Sequence, residues 1–269
     1  MLTPVLSLVA GALYLVAGVL LIKHLWGSQL ANLRLVFAMI LVAIAAHSVL
    51  LDVTVFSHEP AINFGLTNAA SLTAWIVTII FLATALLKPV YELGALILPV
   101  SAISVLVAWL WPPASPDTVR STGLTIHLFL SLAAYGFLAL AVVQSLIMRL
   151  QDHRLRIHSE ASVLRKLPPL ETMEELLFQL IAIGFVLLSL GLISGFWFSV
   201  EQLGVAFVFD NHTVLSIIAW LIFGSLLLGH FRFGWRGKTA TRWTIGGFIV
   251  LAIGYFGWKF VIEILLNRR

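Results

Sequence analysis

Eight long apolar runs constrain this chain more than any other feature of its sequence. They cover residues 3–22, 34–52, 67–87, 91–111, 123–148, 175–199, 212–231 and 243–265. A helix needs about 20 apolar residues to cross the roughly 30 Å hydrocarbon layer of a membrane, and each run is close to that length or longer. The sequence therefore predicts an all-α polytopic membrane bundle with eight transmembrane helices.

Composition excludes the soluble alternatives. Hydrophobic residues make up 61% of the 269 residues, charged residues make up 10%, and the mean hydropathy is +1.05. Soluble proteins carry about 25% charged residues, so this chain could not cover its own apolar surface. We therefore exclude a soluble enzyme, a disordered protein and a partner of nucleic acid, and expect residues 1–269 to form a single transmembrane domain within the lipid bilayer. Because the chain has no cysteine, it has no disulfides, no thiolate metal sites and no covalently attached haem.

The basic residues predict an orientation. Twelve of the sixteen Lys and Arg residues lie in alternate connections between the apolar runs. They are Lys23, Arg34, Lys88, Arg149, Arg154, Arg156, Arg165, Lys166, Arg232, Arg236, Lys238 and Arg242. Basic residues are enriched in cytoplasmic loops, so we expect these connections to be inside and both termini to be outside. This pattern predicts a multi-pass membrane protein with a defined orientation.

Four histidines lie within or at the ends of the apolar runs, where ionisable groups are costly and often functional. His47 and His127 are predicted at similar depth near the outer ends of spans two and five. Two imidazoles from two helices commonly hold a b-type haem in a bundle, so this pair is the candidate for ligating haem iron. The alternative is that each histidine only packs against a neighbouring helix.

His212 and His230 bracket the seventh span. They are 18 residues apart, five full turns, and therefore share a face at a separation of roughly 27 Å. One macrocycle cannot be ligated by both, so as ligands they would serve two sites. The alternative for His212 is a solvated residue near the start of the helix. The alternative for His230 is an interfacial residue near the last turn, where the helix dipole favours it. His127 shares its own face with Ser131, Ala134 and Leu138, which favours close helix packing.

Several segments carry a family resemblance. Residues 167–195, LPPLETMEELLFQLIAIGFVLLSLGLISG, predict a capping box from Thr172 to Glu175 followed by a glycine-containing span. The other segments are His127 with LSLAAY, LSIIAWLIF (215–223), GHFRFGWRGK (229–238) and IGYFG (253–257). Together they resemble the cytochrome c assembly family, the haem-handling membrane proteins of the CcsA type. In size and pattern the chain is most similar to the shortened YpjD-type inner-membrane branch of that family. This resemblance implies a multi-pass protein of the bacterial inner (cytoplasmic) membrane.

The resemblance extends to an external loop. The family has a tryptophan-rich loop that cradles haem, and the equivalent segment here is LGVAFVFD (203–210). Asp210 is retained, whereas Phe207 and Phe209 replace tryptophans. The resemblance implies that these three residues, with His212 as an alternative axial ligand, contribute to a haem site. It also implies haem b as cargo or bound cofactor, and other membrane assembly or transport subunits as partners.

The sequence contains no nucleophile elbow, P-loop, zinc-protease or dinucleotide motif, so we expect a protein that is not an enzyme. Delivery of haem during cytochrome assembly is the main functional hypothesis. A membrane transporter, or an accessory subunit with the same fold and no haem, is the alternative. Gly184, Gly191 and Gly195 in span six are compatible with a broken transporter helix. A purely structural or partner protein, in which the histidines only pack, is the third hypothesis.

Overall fold

The computed structural model describes residues 2–26, 32–56, 61–113, 118–119, 122–156, 168–203 and 211–265. Within them the chain is almost entirely helical. The long helices are α1 (Leu2–Leu25), α2 (Leu33–Leu51), α3 (Leu66–Leu87), α4 (Glu92–Leu110), α5 (Thr122–Arg156), α6 (Leu170–Leu203), α7 (Asn211–Phe233) and α8 (Gly237–Ala252). A π-helical turn, Asp52–Phe56, continues α2, and two two-residue strands are Ala61–Ile62 and Thr118–Val119. The prediction of an all-α protein is confirmed.

Seven helices of the described chain, α1 to α7, are long and apolar enough to cross a membrane. The eighth predicted span, 243–265, falls on α8 and the helical turns after it. The 16-residue α8 is succeeded by π-helical turns at Ile253–Gly257 and Val261–Leu265, with the short helix Trp258–Phe260 between them. The count of eight spans and the external position of the termini stay predictions.

The interval 149–174, which separates the fifth and sixth apolar runs, is partly helical. Helix α5 continues to Arg156, and α6 begins at Leu170. The predicted capping box is therefore wrong, because Thr172 lies inside the helix rather than before it. Pro168 and Pro169 come just before the first helical residue. Proline suits a helix start because its φ is already close to the helical value, and because the amide proton that it lacks would have no partner within the helix there.

The chain divides into two compact units. The first comprises Met1–Thr118 and Leu150–Thr172, and the second comprises Val119–Arg149 and Met173–Arg269. In the first unit α1 runs antiparallel to α4 at close range. A β-carbon at Gly18 would lie 3.1 Å from Cδ of Pro99, so the absence of a side chain leaves room for the proline ring within α4. The expectation that residues 1–269 form a single transmembrane domain stays a prediction.

The second unit is built from the membrane part of α5 with α6, α7 and α8. The indole of Trp220 on α7 stacks on Phe185 of α6, with ring centroids 5.4 Å apart. Its Nε1 donates a hydrogen bond of 2.8 Å to Oγ of Ser189. A tryptophan N–H at membrane depth needs such an acceptor, so this bond positions α7 along α6.

Candidate functional site

His127 lies in the first turns of α5 and is fixed by α6. Its Nδ1 lies 3.0 Å from the carbonyl oxygen of Gly191 and 3.2 Å from Oγ of Ser194. A carbonyl oxygen only accepts hydrogen bonds, so Nδ1 carries the proton and Nε2 keeps its lone pair. This arrangement, with one ring nitrogen held by a backbone carbonyl, is the one that metal-ligating histidines usually have.

Gly195 provides the space that this imidazole occupies. A β-carbon at Gly195 would lie 2.9 Å from Cε1 of His127, closer than real contacts allow. One turn earlier, a β-carbon at Gly191 would lie 3.3 Å from Oγ of Ser131. The glycines of α6 thus let α5 approach closely, which is why His127 can reach the backbone of the neighbouring helix.

The small-residue face predicted on α5 is confirmed as a packing surface. Ala134 and Leu138 are fully buried. A β-carbon at Gly184 would meet the Leu138 side chain at 2.8 Å, two turns away from the contact with Ser131. Ser131 and Leu138, two turns apart on α5, therefore contact Gly191 and Gly184, which are two turns apart on α6. Contacts that repeat every two turns are expected where two helices pack side by side.

His212 joins His127 in the second unit. The His212 ring meets the ring of Tyr255 edge-on at 5.8 Å, and a β-carbon at Gly254 would lie 3.7 Å from the His212 carbonyl oxygen. The second unit thus contains two of the predicted site residues, and Tyr255 contacts both His212 of α7 and Tyr135 of α5. The His127 cluster, as we call it, comprises His127, Gly191, Ser194, Gly195 and His212.

Tyr135 anchors the C-terminal helical segment beside this cluster. Its hydroxyl, on α5, donates a hydrogen bond to the carbonyl oxygen of Leu251. Its ring also meets Tyr255 and Phe256 edge-on, at 6.3 and 5.9 Å. Sequence reasoning missed Tyr135, although a phenol in an apolar helix signals a buried hydrogen bond. The contact holds Tyr255 in place next to His212.

His47 has a different environment in the first unit. It is fully buried, and its two ring nitrogens both face hydroxyl groups. Nδ1 lies 3.3 Å from Oη of Tyr14, and Nε2 lies 2.9 Å from Oγ of Ser71. Neither nitrogen is left for a metal unless a hydrogen bond breaks. The arrangement favours the packing interpretation of His47, and its pairing with His127 stays a prediction.

Buried hydrogen bonds, those of His47 among them, link four helices. Thr78 lies two turns after Ser71 on α3. Thr78 Oγ1 lies 2.8 Å from Oγ of Ser101 on α4. With His47, Tyr14 and Ser71 these residues form the His47 network, and each of the five is at most 1% exposed. No local sequence signal could have found the network, because its members are joined only by tertiary packing.

His230 lies at the opposite end of α7 from His212, as its spacing predicted. Its ring stacks on Phe178 of α6 with centroids 3.5 Å apart, and its Nδ1 lies 3.0 Å from the carbonyl oxygen of Trp235. The imidazole is therefore held by the turn between α7 and α8. The structure separates it from His212 by the length of a helix, so the two do not share a site.

The remaining predicted residues, Phe207, Phe209 and Asp210, lie outside the described residues. Within the described ranges, no three His, Asp or Glu side chains gather as a metal site.

These features define a class of protein. The chain is a multi-pass helical membrane protein whose second unit contains His127 on α5 and His212 on α7. Residues 34–266 match the family described as Cytochrome C assembly protein, and the chain belongs to that family. The resemblance seen in the sequence is thereby confirmed.

Three relatives indicate where in the family the chain lies. The Inner membrane protein YpjD of Escherichia coli strain K12 is 26% identical over 97% of this chain and 99% of its own length. The Cytochrome c biogenesis protein CcsA of Guillardia theta is 26% identical over 64% of each chain. Protein HemX of Brevibacillus brevis is 27% identical over 57% of this chain and 58% of its own. No solved structure matches.

The apolar helices and the relative named as an inner membrane protein together support a multi-pass inner-membrane location.

Proposed function

We propose that this protein binds haem in its second unit and serves cytochrome assembly in a bacterial inner membrane. The observation that carries the proposal is the fixed imidazole of His127, whose Nδ1 is held by the Gly191 carbonyl. A histidine fixed in this way presents Nε2 as a ligand. The names of the relatives support the proposal, since one is a cytochrome c biogenesis protein.

The chemistry of the described residues fits haem. Neutral imidazole is a common axial ligand, and with no cysteine in the chain the haem would be held without covalent bonds, as b-type haem is. Bound haem would supply an iron centre that accepts imidazole nitrogens. In this proposal His127 is one ligand, and His212 is the second.

The other residues of the cluster have supporting roles. The Gly191 carbonyl and the Ser194 hydroxyl hold the His127 ring in one orientation. Gly195 leaves the space that the ring needs. Phe207 and Phe209 would add an apolar surface, as the resemblance implies. The protein would hold and transfer haem rather than transform it, and it would work with other membrane assembly subunits.

The transporter alternative has less support. It expects discontinuous helices at a substrate site. Helix α6, which carries Gly184, Gly191 and Gly195, is continuous from Leu170 to Leu203. None of the three relatives named above is described as a transporter.

An absorption spectrum tests the proposal. The purified full chain, reconstituted with haem, should show a Soret band and reduced b-type bands. His127→Ala and His212→Ala should each lose or shift these bands. His47→Gln and His230→Gln are matched controls, since both change a histidine outside the His127 cluster, and both should keep the wild-type spectrum.

Each other outcome has a meaning. A protein that stays colourless after reconstitution would overturn the haem proposal. If His127→Ala and His47→Gln abolished the bands and His212→Ala did not, the pair of His47 and His127 would be favoured over His127 and His212. If His230→Gln alone did so, the ligand would lie at the other end of α7.

A further inference from the structure

The turn between α7 and α8 concentrates positive charge. Arg232 lies at the end of α7, Arg236 lies between the two helices, and Lys238 and Arg242 lie in the first turns of α8. Residues 229–243 contain no Asp or Glu. All four basic side chains are exposed. Among the described residues they make one ion pair, between Arg236 Nε and Glu174 at 4.0 Å, and the Arg236 side chain is still 68% exposed. This basic turn, defined as residues 230–242, therefore presents four exposed cations.

The basic turn has a defined backbone. The amide of Gly234 donates to the His230 carbonyl at 3.1 Å, and the amide of Trp235 donates to the Gly229 carbonyl at 3.2 Å. Gly234 and Gly237 adopt positive φ of 66° and 53°, which bends the chain sharply between the two helices. The four charges are thus presented from fixed positions rather than from an unstructured loop.

Aromatic side chains border the charges. Phe231 and Phe233 flank Arg232 and are 76% and 74% exposed. The indoles of Trp235 and Trp243 lie against each other at 5.2 Å. Aromatic rings with adjacent basic residues at a helix end are typical of the membrane interface, where rings contact acyl chains and cations meet headgroups.

We propose that the basic turn binds the phosphate groups of anionic phospholipids at the membrane surface. The charge complementarity is direct, because four exposed cations match anionic phosphodiester groups. The exposed rings favour a lipid over a soluble phosphate, since they would remain in water around a soluble ligand. This inference concerns the opposite end of α7 from His212 and is independent of haem binding.

Lipid binding to the purified full chain in detergent tests the proposal. Native mass spectrometry should detect preferential retention of phosphatidylglycerol or cardiolipin over phosphatidylcholine at equal concentration. A basic residue near an anionic surface contributes about 1 kcal/mol, so each neutralised charge should weaken anionic-lipid binding about five-fold. The variant R232Q/R236Q/K238Q/R242Q should therefore lose the preference.

The matched control is K23Q/R34Q/K88Q, which neutralises basic residues of the first unit. It should retain the preference for anionic lipid. Equal retention of both lipid types by the wild-type chain would overturn the proposal, and so would an equal loss in both variants. Inorganic phosphate or an acidic polyglutamate peptide that binds the turn while anionic lipid does not would also overturn it.

A smaller variant protects the test against misfolding. R236Q/K238Q changes only two exposed side chains and should weaken anionic-lipid binding about 25-fold, because two such charges are removed. Its thermal unfolding should match that of the wild type. Unchanged lipid retention in this folded variant would contradict the proposal.

Discussion

The Nδ1 atom of His127 lies 3.0 Å from the carbonyl oxygen of Gly191, a residue 64 positions later in the chain. The contact requires α5 and α6 to approach closely, and the glycines of α6 allow that approach. It fixes both the tautomer and the direction of the imidazole. Gly195 borders this ring, so a side chain added there should disturb it.

Gly195→Ala should displace the His127 imidazole, because the new β-carbon would lie 2.9 Å from Cε1. We expect a destabilisation of about 1–3 kcal/mol, typical of overpacking, together with an altered haem spectrum. Thermal unfolding in detergent and the absorption spectrum are the measurements. Gly246→Ala is the matched control, since a β-carbon there meets nothing within 4 Å. Equal behaviour of the two variants would contradict the assigned contact.

His47→Phe should destabilise the first unit and leave haem binding unchanged. The substitution leaves the Tyr14 and Ser71 hydroxyls without their imidazole partner, and a buried unsatisfied group costs about 1–3 kcal/mol. The apparent unfolding temperature of the purified protein measures the effect. A double-mutant cycle with Tyr14→Phe should show non-additivity, because the two side chains are hydrogen-bonded. Strict additivity would indicate that the His47 network does not form.

Trp220→Phe should remove one hydrogen bond while retaining the ring that stacks on Phe185. We expect a loss of about 0.5–1.5 kcal/mol in the free energy of unfolding. Ser189→Ala should have a similar effect, and the double variant should lose little more than either single one. Denaturant unfolding followed by fluorescence measures the three variants. A double variant whose loss equals the sum of the two would argue against the bond.

Gly234→Ala should destabilise the turn between α7 and α8 by about 1 kcal/mol, because an L-residue is disfavoured at φ 66°. A β-carbon there would meet nothing within 4 Å, so the expected cost is purely conformational. Gly234→Asn is the control, since asparagine tolerates the left-handed region better. Thermal unfolding should rank the wild type above Asn and Asn above Ala. The reverse order of the two variants would contradict this backbone conformation.

Much of the helical framework could be predicted from the sequence. The run predicted at 67–87 corresponds to the helix Leu66–Leu87, and the run at 212–231 lies within Asn211–Phe233. The mean hydropathy of a segment depends only on its own residues and not on the helices that pack against it, so such spans can be recognised from the sequence. The family resemblance, carried by local segments such as residues 167–195, was recoverable for the same reason.

Helix ends were less predictable. Thr172 and Glu175 have the residue types of a capping box, yet α6 begins at Leu170 after two prolines. The π-helical turn at Ile253–Gly257 also has no signal in hydropathy. Both features depend on backbone geometry over a few residues, where several local preferences compete and small energies decide the outcome.

The sequence by itself determined that this protein is a helical membrane protein and which histidines lie in or beside its spans. Only the tertiary structure decided what surrounds those histidines. His47 is enclosed by Tyr14 and Ser71, whereas His127 is held on one ring nitrogen by the Gly191 carbonyl. The physical reason is that burial in a membrane depends on the composition of one helix. The partners of an imidazole depend on how helices distant in sequence pack against each other.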